Sequence, residues 1–232
     1  IYLFHHEKNF NLCGDLTKLI KGKRMANSSV RKKPKNKLSR QMGENIWGRE
    51  NCPTSNRVYG PGQHGPKGNR RRSDYGVQLR EKQKLKGYYG NIGEKQFRNI
   101  FKEAFAKKGD TSENLLILLE SRLDAIVYRS NFVATVFAAR QFINHKHVRV
   151  NGAIVNIPSY RCKPGDIVDI KEKSRNLGFV IESTSKLERD VPEYLNLDLK
   201  TFSTTYTRFP SSDEIPYATI MSPKDVVEFY SR

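Results

Sequence analysis

An α+β architecture is predicted for this 232-residue chain: a mostly helical domain formed by N-terminal and C-terminal segments, with an inserted module of two helices and a small antiparallel sheet. Three observations predict it. Apolar residues recur at spacings of three and four from Phe97 to Ile143; the period changes to two at Val148; and alternation followed by one last amphipathic stretch returns after Leu195.

Residues 1–24 read as an extension outside the domains, either an upstream segment or an organellar leader. A leader would be rich in Arg and Ser and poor in acids, which Glu7, Asp15 and a lone Arg24 fit badly. Residues 25–58 form a basic arm. Between positions 21 and 40 there are nine Lys or Arg and no Asp or Glu, so this stretch is expected to order only on an anionic partner. From Tyr59 to Gly65, alternating Gly and Pro specify successive tight turns with Gln63 and His64 exposed. Ser73 caps a helix through the eight-cation stretch from Lys67 to Lys86, in which Tyr75, Tyr88 and Tyr89 are either core or stacking residues. Glu94 to Lys108 is a further helix, with Phe97, Ile100, Phe101, Ala104 and Phe105 on one face and Gly109 as its stop. Residues 59–109 are assigned, with 177–232, to the helical domain.

The inserted module is assigned to residues 110–176. Its first helix opens near Ser112 and carries Leu116, Leu119, Leu123 and Ile126 as one stripe, with Arg122 and Arg129 off it. Thr135 caps the second, which turns Val136, Ala139 and Ile143 inward and Arg140 elsewhere. Val148 and Val150 alternate with Arg149; Asn151-Gly152 supplies the positive φ angles of a tight hairpin; and Ile154 to Ile157 returns as a strand. Pro164-Gly165 turns the chain into Ile167 to Ile170. Beyond residue 176, Leu195, Leu197 and Leu199 alternate, and Phe202, Thr204 and Tyr206 continue the pattern. Ser222-Pro223 opens a last helix whose Val226, Val227, Phe229 and Tyr230 are expected to cover the Phe97 face.

Charge narrows the function. Lys plus Arg total 42 against 24 Asp plus Glu, and from Ala125 to Gly165 there is no acid at all, a balance suited to phosphates. An anionic membrane is the rival partner, but no apolar run approaches the roughly 20 residues that span a bilayer. From Leu187 onward eight acids face five cations, which makes that end a candidate protein contact rather than a nucleic-acid surface. Cys13, Cys52 and Cys162 are too scattered for a disulfide framework and point to a reducing compartment.

The blocks Leu38-Ser39-Arg40, Trp47-Gly48-Arg49, the Tyr59–Gly65 loop, SDYGVQLREKQKLKGYYG at 73–90, RLDAIVYRSNF at 122–132, AARQFINHKHVRVNGAIVNIPSY at 138–160, KPGDIVDI at 163–170 and the terminal VVEFYSR resemble the ribosomal protein S-four (S4) family. The resemblance covers about residues 37–232. It implies a small-subunit rRNA-binding protein that clamps a helix junction, nucleates subunit assembly and contributes to translational accuracy. Some members hold zinc on four clustered cysteines; with Cys52 alone here, neither zinc nor another cofactor is expected. Implied rRNA contacts in the helical part are Arg40, Arg49, His64, Arg80, Lys82, Lys84, Lys86, Lys95 and Arg98. In the module they are Arg122, Arg129, Arg140, His145, Lys146, His147, Arg149, Asn151, Arg161 and Lys163. Lys67, Arg70, Arg71 and Arg72 would face the mRNA path, and a neighbouring protein, S-five (S5), would lie against this one. No homo-oligomer is expected. The location would be the cytoplasm, with an organellar ribosome as alternative.

The inserted module also occurs in RNA-modifying enzymes and in ribosome-associated factors. An enzyme needs a catalytic domain, and outside the module the chain has no phosphate-cradling glycine loop and no nucleophile elbow. Asp74 and Asp124 read as helix-start or ion-pair residues. A factor of the second kind would lack the Tyr59–Gly65 and Ser73–Gly76 blocks.

Overall fold

The computed structural model describes residues 35–50, 52–67 and 73–232. Helix α1 (Lys35–Met42) buries Ser39 and Met42, and its Leu38 lies so close to Gly87 that a Cβ there would collide with it. Residues 35–40 therefore order on the protein itself, contrary to the expectation for 21–40; the remainder of that stretch lies outside the described residues. A short α2 (Pro53–Asn56) and one 3-10 turn (Gly65–Lys67) follow. At Gly65 a Cβ would run into the Gly60 carbonyl, so the loop closes only around glycine.

Helix α3 (Asp74–Tyr88) starts where Ser73 Oγ accepts from the Gly76 N–H at 3.3 Å. Helix α4 (Glu94–Ala106) buries Phe97, Ile100, Phe101 and Ala104, but Phe105 is 67% exposed. Phe105 sits one residue before the helix end, its ring 6.3 Å from that of Phe101. Tyr88 and Tyr89 are core residues, whereas Tyr75 is half exposed against the Phe229 ring.

The apolar stripe from Leu116 to Ile126 is buried throughout, yet it belongs to two helices, α5 (Thr111–Glu120) and α6 (Leu123–Arg129). In an unbroken helix the N–H groups of Leu123 and Asp124 would donate to residues 119 and 120. Here they donate to the carbonyls of Tyr160 at 2.8 Å and Pro158 at 3.1 Å, and Arg122 bridges Arg161 in strand fashion. Segment 158–162 thus clasps the break. Thr135 caps α7 (Val136–Asn144), accepting from Ala138 N–H at 3.1 Å.

Strands β1 (Val148–Val150) and β2 (Ala153–Ile154) meet through Asn151 and Gly152, whose φ angles of 50° and 80° form the expected turn. The return strand is shorter than its expected run to Ile157. After β3 (Ile167–Ile170) come two short helices, α8 (Glu172–Arg175) and α9 (Gly178–Ser185), then β4 (Leu195–Asp198) and β5 (Ser203–Tyr206). All five strands form one antiparallel sheet in the order β2-β1-β3-β5-β4. The sheet therefore continues past residue 176: β5 pairs directly with β3, so strands from the C-terminal segment extend the module. Helix α10 (Pro223–Ser231) packs on α3 and α5, and its Tyr230 ring lies 4.7 Å from Phe101 and 6.2 Å from Phe97. One continuous core runs from Met42 to Val226. Among the described residues no helix is long and apolar enough to cross a membrane.

Candidate nucleic-acid interface

The strand register sorts the sheet into two faces. Val150, Val168, Thr204 and Leu197 lie in one row toward the core, while Ile154, Arg149, Asp169, Ser203 and Asp198 form a row on the outer face. On that face Arg149 Nε donates to Asp169 Oδ2 at 2.8 Å, joined by Nη2. Asn151 Nδ2 donates to Asp166 at 2.9 Å, and its Oδ1 accepts from the Ile167 N–H at 2.9 Å. These contacts tie Arg149 to β3 and the Asn151 turn to the residues that open β3. At the α7–β1 turn His145 and Lys146 are exposed, with Lys146 in the left-handed region at φ 63°. His147 Nδ1 lies 2.8 Å from Ser174 Oγ, and its ring stacks 4.8 Å from Phe142. Burial, then the nearby His145 and Lys171, lower the His147 pKa from 6.5, so the imidazole is neutral at pH 7. Lys163 is exposed, and the partly exposed Arg161 reaches Glu103 on α4. Arg140 Nη1 donates to the Gly90 carbonyl at 3.3 Å.

In the helical part, Lys95 and Arg98 are exposed on the face of α4 opposite the buried phenylalanines, and Lys102 continues their stripe one turn on. Positions 95, 98 and 102 repeat at helical spacing, a signal that would have brought Lys102 into the candidate set. Arg49 and His64 are exposed. Arg40 Nη2 donates to the Gly60 carbonyl at 3.2 Å and its guanidinium lies 5.4 Å from the Tyr59 ring centre. Beside it an open groove of about 730 Å³ is lined by Lys37, Arg40 and Arg57, with Glu50 as the acid. Arg57 had no distinguishing pattern in the sequence. Arg80 donates to the Met42 carbonyl. The side chain of Lys67 and residues Arg70, Arg71 and Arg72 lie outside what the structure describes.

Four expected contacts are internal. Arg122 and Arg129 are 1% and 2% exposed, and Lys82 and Lys84 are 6% and 2% exposed. Each is taken up by an acid: Arg122 by Asp124, Arg129 by Glu120, Lys82 by Glu94, and Lys84 by Glu44. A guanidinium or ammonium enclosed this way has no path to a phosphate, so these residues hold the fold rather than the ligand. Cys52 and Cys162 are buried thiols, and burial pushes Cys162 up to about 12.

Glu94 organises the cations around it. Its carboxylate, in the first turn of α4, accepts from Lys82 at 2.9 Å, Lys86 at 3.0 Å and Tyr230 Oη at 2.8 Å. Burial pushes its pKa up, but the hydrogen bonds from Lys82, Lys86 and Tyr230 outweigh burial and bring it from 4.5 to about 2. Because the folded state holds the proton less tightly, this stabilisation is fully present above pH 4.5 and is lost as pH falls toward 2. Urea midpoints of Glu94→Gln and the unchanged chain are expected to differ at pH 7 and to draw together only as pH falls from 4.5 toward 2; a constant gap would assign the difference to packing.

A cationic stripe on one helix, together with the exposed His145, Lys146 and Lys163 of the module, is an arrangement for binding a phosphate backbone. Comparison with known proteins agrees. The profile described as "Ribosomal protein S4/S9 N-terminal domain" matches residues 30–120, and that of the "S4 domain" matches residues 121–168. The two meet at the break between α5 and α6. Proteins named "Small ribosomal subunit protein uS4" from Rhizobium meliloti (strain 1021) and Bartonella henselae (strain ATCC 49882) are 60% and 59% identical over 204 residues, 88% of this chain and 100% of theirs. The protein of that name from Maricaulis maris (strain MCS10) is 58% identical over 203 residues, covering 88% of this chain and 99% of its own. By its two profiles and by relatives matched over nearly their whole length, the chain belongs to the S4 family of ribosomal proteins.

Proposed function

We propose that this chain is a structural constituent of the small ribosomal subunit that binds small-subunit rRNA and catalyses no reaction. The observation that carries this is the identity of 58–60% to proteins of that name across 99–100% of their length. The segment from Ala125 to Gly165, which contains no acid, supplies the chemistry. Its exposed His145, Lys146 and Lys163, with Arg149 and Arg140, would meet phosphates of one RNA helix, while Lys95, Arg98 and Lys102 on the helical part would meet those of another. Gripping both would fix the angle between them, which is how such a protein nucleates subunit assembly and bears on translational accuracy. Finer proposals follow the same chemistry: Arg70, Arg71 and Arg72 toward the mRNA path, and the acid-rich C-terminal segment, with Glu193 88% and Glu228 62% exposed at the side chain, toward S5. The bacterial relatives favour the cytoplasmic ribosome over an organellar one.

Filter binding to small-subunit rRNA over a salt series tests the electrostatic account. With ~8 phosphate contacts the slope of log K on log salt is expected to be on the order of −5 to −7, and a slope near zero would reject it.

A further inference from the structure

We propose that one unpaired nucleobase of the bound rRNA stacks on the outer face of the His147 ring. The proposal rests on the rRNA-binding reading and adds the kind of nucleotide this corner of the module takes. Phe142, 3% exposed, lies parallel beneath the imidazole at 4.8 Å and 19°, and the Phe179 edge meets Phe142 at 5.6 Å and 87°. Ser174, itself 4% exposed, holds Nδ1 at 2.8 Å and so stops the ring from rotating. One face and one edge of the imidazole are therefore occupied, and the residue as a whole is only partly buried. The exposed His145 ring stands 6.1 Å away, tilted by 53°, as a side wall.

Cations frame this platform. Lys146 is exposed between the two histidines, and Lys171 lies alongside, its N–H donating to the His147 carbonyl at 2.9 Å. Of the nearest acids, Asp169 is engaged by Arg149, and Glu172 lies one residue beyond Lys171. A locked π face with lysines next to it in the chain suits a splayed base whose flanking phosphates reach them, and stacking of this kind tolerates any base. A ring that only roofed over Phe142 would not need a buried hydroxyl to fix its rotation.

The test uses the full chain and small-subunit rRNA. His147→Leu keeps apolar cover on Phe142 but removes the π face, whereas His147→Phe keeps the face. Expected is about a tenfold loss of affinity for His147→Leu with the salt slope unchanged, and affinity within about threefold of the parent for His147→Phe. Chemical probing should show one base protected by the parent and by His147→Phe and reactive with His147→Leu. Equal affinity and equal protection for His147→Leu would overturn the stacking while leaving rRNA binding in place. Failure of the parent chain to bind the rRNA would overturn both.

Discussion

Glu120→Ala is expected to lower the free energy of unfolding by about 3–5 kcal/mol, because it would leave an arginine charge buried without its counter-ion. Glu120 ends α5 with no exposed surface. Its Oε1 accepts from Tyr89 Oη and Arg129 Nη2, both at 2.7 Å, and its Oε2 from Tyr194 Oη at 3.0 Å and Arg129 Nε at 3.2 Å. Tyr217 Oη joins the knot 2.6 Å from Tyr89 Oη, and Arg129 Nη1 donates to the Pro216 carbonyl at 2.8 Å. One carboxylate thus binds α3, α5, α6 and two pieces of the C-terminal segment together. Burial, then the Glu120 charge, push the Tyr89 and Tyr194 phenols well up, so both keep the protons they donate at any pH where the chain is folded. Urea titration measures the effect. A loss below about 1 kcal/mol would mean that water enters and replaces the carboxylate.

Arg122→Ala should be nearly as damaging, by about 3–5 kcal/mol, since it strips the partner from a carboxylate that is 1% exposed. Arg122 Nε and Nη2 grip Asp124 in a fork at 2.9 and 2.6 Å, and Arg140 stands farther off, at 3.8 Å. Replacing both members, as Arg122→Met with Asp124→Leu, is expected to recover most of the loss, because two apolar side chains of similar size need no counter-ion. If the double variant is as unstable as the single one, the break between α5 and α6 depends on something other than this charge pair. The folded double variant should also bind rRNA with an unchanged salt slope, whereas Lys146→Ala should reduce the slope by about one. That contrast separates an arginine that holds the fold from a lysine that meets phosphate.

The local elements were legible from residue order. Ser73, Thr135, Asn151-Gly152 and Pro164-Gly165 do their work within three or four residues, so their caps and turns follow from the neighbouring residues alone. The α5–α6 break was not legible. Its apolar period runs through unbroken, and the carbonyls that interrupt it come from Pro158 and Tyr160, more than thirty residues away. The same distance hid the pairing of β5 with β3.

Among the candidate contacts, the sign of the charge was readable but its direction was not. Lys82 and Lys95 both stand in cation-rich stretches of the sequence, yet Lys82 is buried against Glu94 while Lys95 is exposed on α4. The sequence by itself determined which elements form and that the chain carries enough positive charge to seek a polyanion, because periodicity, capping and net charge are properties of neighbours and of sums. Only the tertiary structure decided which cations are left to face RNA. An arginine becomes structural when folding brings a carboxylate such as Glu120 or Asp124 against it in a place water does not reach, and it stays available when folding leaves it at the surface.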